Sequence, residues 1–304
     1  MQNMFYSVRM NAPTIGIGVL SWNAHKTLTQ SLDSYRDNGF LDLFNERIIY
    51  FSDITDKDRA IAKQYGWQYV GGANEGIAGG MKNLAVNMMS DYVLLLQNDN
   101  PIVEDCTFAK RHILEAVELM EHKQCDLVRM RHRWQVGEGF ADARKYIEYY
   151  GVQNASSEFI KREHGQLKSL SDDFVKKLKR FMRPTKAKRL RGRSIFVEDA
   201  PEKIFPDVVD KKDDFWVVNS SVLHFTDQCL LISRKLWLEM FVPYVENNQG
   251  STRSSNGFKA PELVINGAWW RNSHFKIAQG QGLFTHNRFD GSFRDNHHTK
   301  INSK

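Results

Sequence analysis

The chain has 304 residues, 41% of them apolar, 12% aromatic and 26% charged, proportions that allow a large buried core and exclude a disordered, collagen-like or simple coiled-coil chain. Its formal charge is +6, but Lys176–Arg193 alone carries ten Lys and Arg with no Asp or Glu, leaving −4 for the remainder. The basicity is therefore one local block, which fits either a solvated surface loop or a contact with an anionic partner.

In chain order, Thr14–Leu20 reads as a strand, Thr27–Tyr35 as a helix with Leu28, Leu32 and Tyr35 on one face, and Arg47–Phe51 as a second strand. Lys57–Tyr65 reads as helix and Trp67–Val70 as a short strand. Met81, Leu84, Ala85, Met88 and Met89 share a helical face, Tyr92–Leu96 is a continuous apolar strand, Phe108–Met120 is again helical, and Asp126–Met130 completes the series. Strands apolar on both faces and alternating with helices predict an α/β fold with a mostly parallel central sheet covered by helices. Ligands of such sheets bind beyond the carboxyl ends of the strands. From Trp134 to Phe215 the rhythm breaks, and the stretch 135–215 reads as an insertion. Within it Phe174, Val175, Leu178, Phe181 and Met182 recur at helical spacing among Lys and Arg, which predicts a basic amphipathic arm ending before Pro184. The core pattern resumes at Phe215–Phe225 and Cys229–Trp237, and Thr285–Lys304 is a polar tail.

No run approaches the roughly eighteen apolar residues of a membrane-spanning helix. Met1–Met10 has no signal-peptide pattern, which predicts a cytoplasmic protein. Cys106, Cys125 and Cys229 are odd in number and widely spaced, fitting free thiols with no assigned chemistry.

Two stretches carry chemistry. In Asn74–Asn83 the glycines, including Gly79 and Gly80, stand at the start of a helix where backbone can approach a ligand, and Lys82 with the helix start favours an anion such as a diphosphate. Gln97-Asn98-Asp99 directly follows a buried strand, where a sheet presents its ligands; turn chemistry is the alternative reading.

In their order and separation these motifs make the chain resemble the GT-A glycosyltransferases, specifically glycosyltransferase family 2. The matching residues are Leu20-Ser21-Trp22-Asn23 closing the first strand, Asp53 and Asp58 after the second, the N-x-G-x-x-G-G-x-K-N stretch Asn74–Asn83, and Gln97-Asn98-Asp99 in place of the D-x-D metal motif. The resemblance covers roughly Thr14 to Asp105. It implies a single GT-A domain, with 1–130 as the nucleotide-sugar half and 216–304 as the acceptor side. It further implies that Ser21, Trp22, Asn23, Asp53, Gly79, Gly80, Lys82, Gln97 and Asn98 bind the nucleotide-sugar, a UDP-, GDP- or dTDP-sugar. Asp99 and His286, the latter within Gly282–Arg288, would hold a divalent metal, Mn²⁺ or Mg²⁺. Glu262, in Pro261-Glu262-Leu263, would serve as catalytic base in an inverting displacement. Gln97 departs from the family pattern, leaving Asp99 as the one carboxylate of that motif, so a weaker metal or reliance on basic side chains stays open. The acceptor expected is a cell-surface or lipid-linked glycan, with Lys176–Arg193 contacting an anionic membrane face. DNA as acceptor, or a non-catalytic binding protein on a GT-A scaffold, are the alternatives.

Overall fold

The computed structural model describes residues 12–137, 142–154, 173–248, 258 and 260–287. The expectations for Met1–Met10, for Arg288 and for the tail beyond it fall outside these residues. Strand β1 (Ile15–Ser21) is followed by α1 (His25–Asn38), β2 (Glu46–Ser52), α2 (Asp56–Gln64), β3 (Gln68–Gly72), α3 (Gly76–Val86), β4 (Tyr92–Gln97), α4 (Cys106–Glu121) and β5 (Leu127–Arg131). Each element predicted to residue 130 is present. Local chemistry sets several boundaries: the αL residue Gly39 closes α1 with its N–H on Tyr35 O, Thr55 and Asp58 form a capping box at α2, and the Asp105 carboxylate caps α4 through Phe108 N. The expected face of α3 needs one correction: the helix stops at Val86, so Met88 is buried beyond it and Met89 is 79% exposed.

All described strands join one sheet, in the order β3-β2-β1-β4-β8-β5-β9-β7-β6. The later strands are β6 (Val209–Lys212), β7 (Phe215–Asn219), β8 (Leu230–Ser233) and β9 (Lys276–Phe284). β3, β2, β1 and β4 run parallel, β8 pairs antiparallel with both β4 and β5, and β9 runs parallel to β5. This is the expected α/β class. Along β4, Val93 and Leu95 face one core and Tyr92, Leu94 and Leu96 the other, because side chains alternate across a strand. α1 and α4 pack with the second core and α3 with the first.

The described residues of the stretch 135–215 contribute to the first core. α5 (Asp142–Tyr150) brings Tyr146 and Ile147 into the first core, joined by Ile195, Phe196, Val197, Phe205 and Val209, and β6 pairs with β7. Its polar, Pro-punctuated composition masks these widely spaced apolar anchors. The basic arm is there: α6 (Asp173–Met182) stops as predicted, and α7 (Pro184–Leu190) starts with Pro184 at its first position. Past β8 a helical run, Arg234–Leu236 and a π-helical stretch Trp237–Phe241, leads into α8 (Val242–Asn247), followed by α9 (Pro261–Ile265) and α10 (Ala268–Ser273). No described helix is long and apolar enough to cross a membrane.

Candidate active site at the carboxyl edge of the sheet

The topology explains which residues meet. β1, β2, β3 and β4 end on one edge. β8 starts on that edge because it is antiparallel to β4, with Leu230 opposite Leu95, so Asp227 arrives beside Gln97. β9 ends on it because it is parallel to β5, which delivers Thr285, His286 and Asn287.

At the β1 and β2 ends, Asn23 and Asp53 both adopt left-handed backbone, φ 48° and 53°. Asn and Asp tolerate this region better than other side chains. The turn aims the exposed Asp53 carboxylate sideways, where it accepts from Trp22 Nε1 at 3.2 Å and Asn74 N at 3.0 Å. Ser21 is buried, and its hydroxyl has no partner among the described residues. Asp58 plays a different part: it is buried, accepts from Thr55 N and Thr55 Oγ1, and pairs with His25 Nε2 at 3.0 Å, so it holds the start of α2.

The glycines of α3 divide their work. A Cβ on Gly80 would stand 2.4 Å from Leu20 Cδ1, so Gly80 lets α3 lie directly on β1. Gly76, at φ 72°, makes room for Phe258, and Gly79 for the Glu75 side chain. Gly79 and Lys82 line a cavity of about 300 Å³ between α3 and α8, edged by Phe258 and Pro261. There Lys82 Nζ lies 2.5 Å from Glu246 Oε1, and this bond raises its pKa. The structure thus gives Lys82 a carboxylate partner, and no described residue of the Gln97–Asp99 turn lines its cavity.

Beyond β4, the Asn98 N–H donates to Leu20 O, and Asn98 O accepts from Ser31 Oγ. Asp99 is 7% exposed; its Oδ2 lies 3.0 Å from His286 Nε2, and its backbone carbonyl accepts from Asn287 N. Gln97 Nε2 reaches Asp227 Oδ1 at 3.4 Å. The Asp227 carboxyl is held well above the ordinary carboxylate range, first by burial and then by the neighbouring Glu262 and Asp99 charges. Glu262 sits in the first turn of α9 and accepts through Oε1 from Thr226 Oγ1 at 2.5 Å and Asp227 N at 3.3 Å. Its Oε2 has no partner among the described residues.

The structure therefore brings Asp99 and His286 together, and separately joins Gln97 to Glu262 through Asp227. Asp227 is not among the predicted candidate residues, because its place beside Gln97 depends on the threading of β8 next to β4. Among the described residues no three His, Cys, Asp or Glu side chains stand so as to enclose a metal ion. Asp99 is nonetheless a hard oxygen donor at a strand end, which suits a cation completed by substrate phosphates and water rather than by an all-protein cage. Cys106, Cys125 and Cys229 are free thiols, as expected.

No family model matches the chain, and no curated protein matches it in sequence. Among solved structures it is similar to S. aureus TarS 1–349, with a TM-score of 0.45 and 11% identity over 90% of this chain and 60% of that one. It is also similar to the mannosyltransferase PcManGT from Pyrobaculum calidifontis in complex with GDP-Man and Mn²⁺, at 0.34 and 14% over 45% of this chain and 41% of that one. A third is glucosyl-3-phosphoglycerate synthase from Mycobacterium tuberculosis, at 0.32 and 19% over 39% and 43%. The chain thus spans less than two thirds of the length of each.

Proposed function

We propose that the protein is a nucleotide-sugar glycosyltransferase. The observation that carries this reading is the convergence, on one edge of an α/β sheet, of the Asp53–Trp22–Asn74 cradle, the Asp99–His286 pair and the Asp227–Glu262 couple, drawn from parts of the chain far apart in sequence. Trp22, Asn23 and Asp53 are assigned the nucleoside, with Asp53 as hydroxyl acceptor. Asp99, oriented by His286, is assigned the divalent cation of the donor diphosphate, which when bound would offset charge growing on the leaving oxygen. Glu262 is assigned the base: its Oε2 takes the acceptor hydroxyl proton as that oxygen attacks the anomeric carbon, and the bond to the diphosphate breaks with its electron pair leaving on the diphosphate. A single displacement of this kind inverts the anomeric configuration. Asp227, whose carboxyl is pushed up by burial and by the Glu262 and Asp99 charges, holds Glu262 through its backbone N–H.

The acceptor assigned is a glycan on a lipid or cell surface, supported by the exposed apolar side chains of α6 set among Lys and Arg. The decisive experiment is thermal melting with a panel of UDP-, GDP- and dTDP-sugars, with and without Mn²⁺, followed by assay of nucleoside diphosphate release. At least one donor should raise the melting temperature and be consumed. If every donor leaves the melting curve unmoved, the assignment falls.

A further inference from the structure

A second cavity, also of about 300 Å³, is lined in part by His224 and Asn266, neighbours in sequence or hydrogen bonding of the loop that carries Glu262's partners. Five cations line it, Lys145, Lys186, Arg189, Arg193 and Arg271, and no described lining residue is a carboxylate. None of Lys145, Lys186, Arg189 and Arg271 has an ion pair among the described residues; Lys186 lies over the Tyr149 ring, 5.2 Å from its centroid. These cations come from α5, α7, the 3₁₀ turn after α7, and α10, so the concentration of charge is made by the fold and not by the basic block alone. Holding like charges around one hollow costs free energy unless an anion fills it, and Arg and Lys together suit a phosphoryl group.

The hollow is tied to the proposed base. Asn266, in its wall, donates through Nδ2 to Glu262 O at 2.8 Å and Phe225 O at 2.9 Å, and accepts from Phe225 N at 2.7 Å. His224 is also in the wall, two residues before Thr226, whose hydroxyl holds Glu262 Oε1. The wall of the cavity is thus hydrogen-bonded to the Glu262 backbone and adjoins the short loop that holds its carboxylate.

Resting on the glycosyltransferase reading, we infer that this cavity is a phosphate subsite and that the glycan acceptor carries a phosphate ester. The phosphate is a monoester or diester held by Lys186, Arg189 and Arg271, and the hydroxyl to be modified lies on the same molecule. Phosphate esters reach such a site either free in solution or as lipid headgroups.

The test uses the full chain and its triple variant Lys186→Gln, Arg189→Gln, Arg271→Gln. Binding of glycerol 3-phosphate is measured by calorimetry, and of vesicles containing phosphatidylglycerol by flotation, with glycerol and phosphatidylcholine vesicles as uncharged or zwitterionic counterparts. The expected result is binding of a phosphate-bearing probe that weakens by about tenfold or more in the triple variant and returns with Arg189→Lys, Arg271→Lys in place of the Gln changes. Affinity for glycerol phosphate identifies a soluble source, and affinity for vesicles alone a headgroup. Equal binding by wild type and triple variant, or binding by neither, overturns the inference. Donor-induced thermal stabilisation is read in parallel: phosphate binding that depends on these cations, in a protein that no nucleotide-sugar stabilises, would keep the subsite and remove the glycosyltransferase reading.

Discussion

At the scale of single residues, Asp99 shows how the structure changes the design of a test. A carboxylate on an open loop could be removed with little effect on folding, but Asp99 is buried and holds both the His286 ring and the Asn287 N–H. Asp99→Ala should therefore lower stability by about 1–3 kcal/mol, the cost of leaving a buried polar partner unsatisfied. Asp99→Asn, which keeps an acceptor for His286, should melt near the wild type and lose the Mn²⁺-dependent part of donor stabilisation; a retained Mn²⁺ effect would remove Asp99 from the metal site. Glu262→Gln keeps the acceptor toward Thr226 and should lower turnover by about two to four orders of magnitude with donor affinity intact, and collapse of donor binding would make Glu262 a donor-side or structural residue. His112 offers a test independent of catalysis. Its ring is buried between Phe108 and Phe215, neither nitrogen has a partner among the described residues, and burial pushes its pKa down to about 4. An unfolded histidine titrates near 6.5, so the unfolded chain takes up the proton first as pH falls. The stabilisation is complete above about pH 6.5 and is lost on descent toward 4, by about 3 kcal/mol. Urea midpoints at pH 7 and pH 4.5 should diverge more for wild type than for His112→Phe, and equal divergence would show that His112 titrates normally in the fold.

Among elements, α6 combines exposed apolar side chains with dense positive charge. Phe174, Phe181 and Met182 are 68%, 83% and 69% exposed on a helix otherwise rich in Lys and Arg. Changing these three to Ser should reduce binding to anionic vesicles without shifting the melting temperature, because they contribute little to the core; raising salt should weaken the wild type as well. Unchanged vesicle binding would dissociate the helix from any lipid role, and salt-sensitive retention on duplex DNA would favour the nucleic-acid acceptor. This helix was legible because amphipathic spacing and a following Pro are local signals. So were β1 through β5, whose apolar runs are short and bounded by turns. β9 was not: Gln279, Gly280, Gln281 and Gly282 break its apolar pattern, yet Gln279 is buried and donates to Arg131 O and Gly280 O, so its polarity is satisfied inside the sheet. The same limit applied to the site. Asp99 and Asp53 follow strands and announce themselves, whereas Asp227 depends on a pairing between distant segments.

For the whole molecule, β9 occupies an interior place between β5 and β7, although it is the last described strand. A chain ending at Phe275 should consequently show no cooperative thermal transition, since β7 and β6 would lose their connection to the rest of the sheet; a sharp transition in that truncation would mean that the two halves fold separately. The threading of β8 between β4 and β5 has a consequence in time. During synthesis β1, β2, β3 and β4 emerge together and can zip in order, but Leu127 has no strand beside it until Ile232 and Ile277 have been made. Long-range pairing of this kind is slow and exposes strand edges while it waits. β5 should accordingly be a late and aggregation-prone passenger of the nascent chain, and pulse-labelled hydrogen exchange during refolding should find amides of β1 protected well before those of Val128 and Met130.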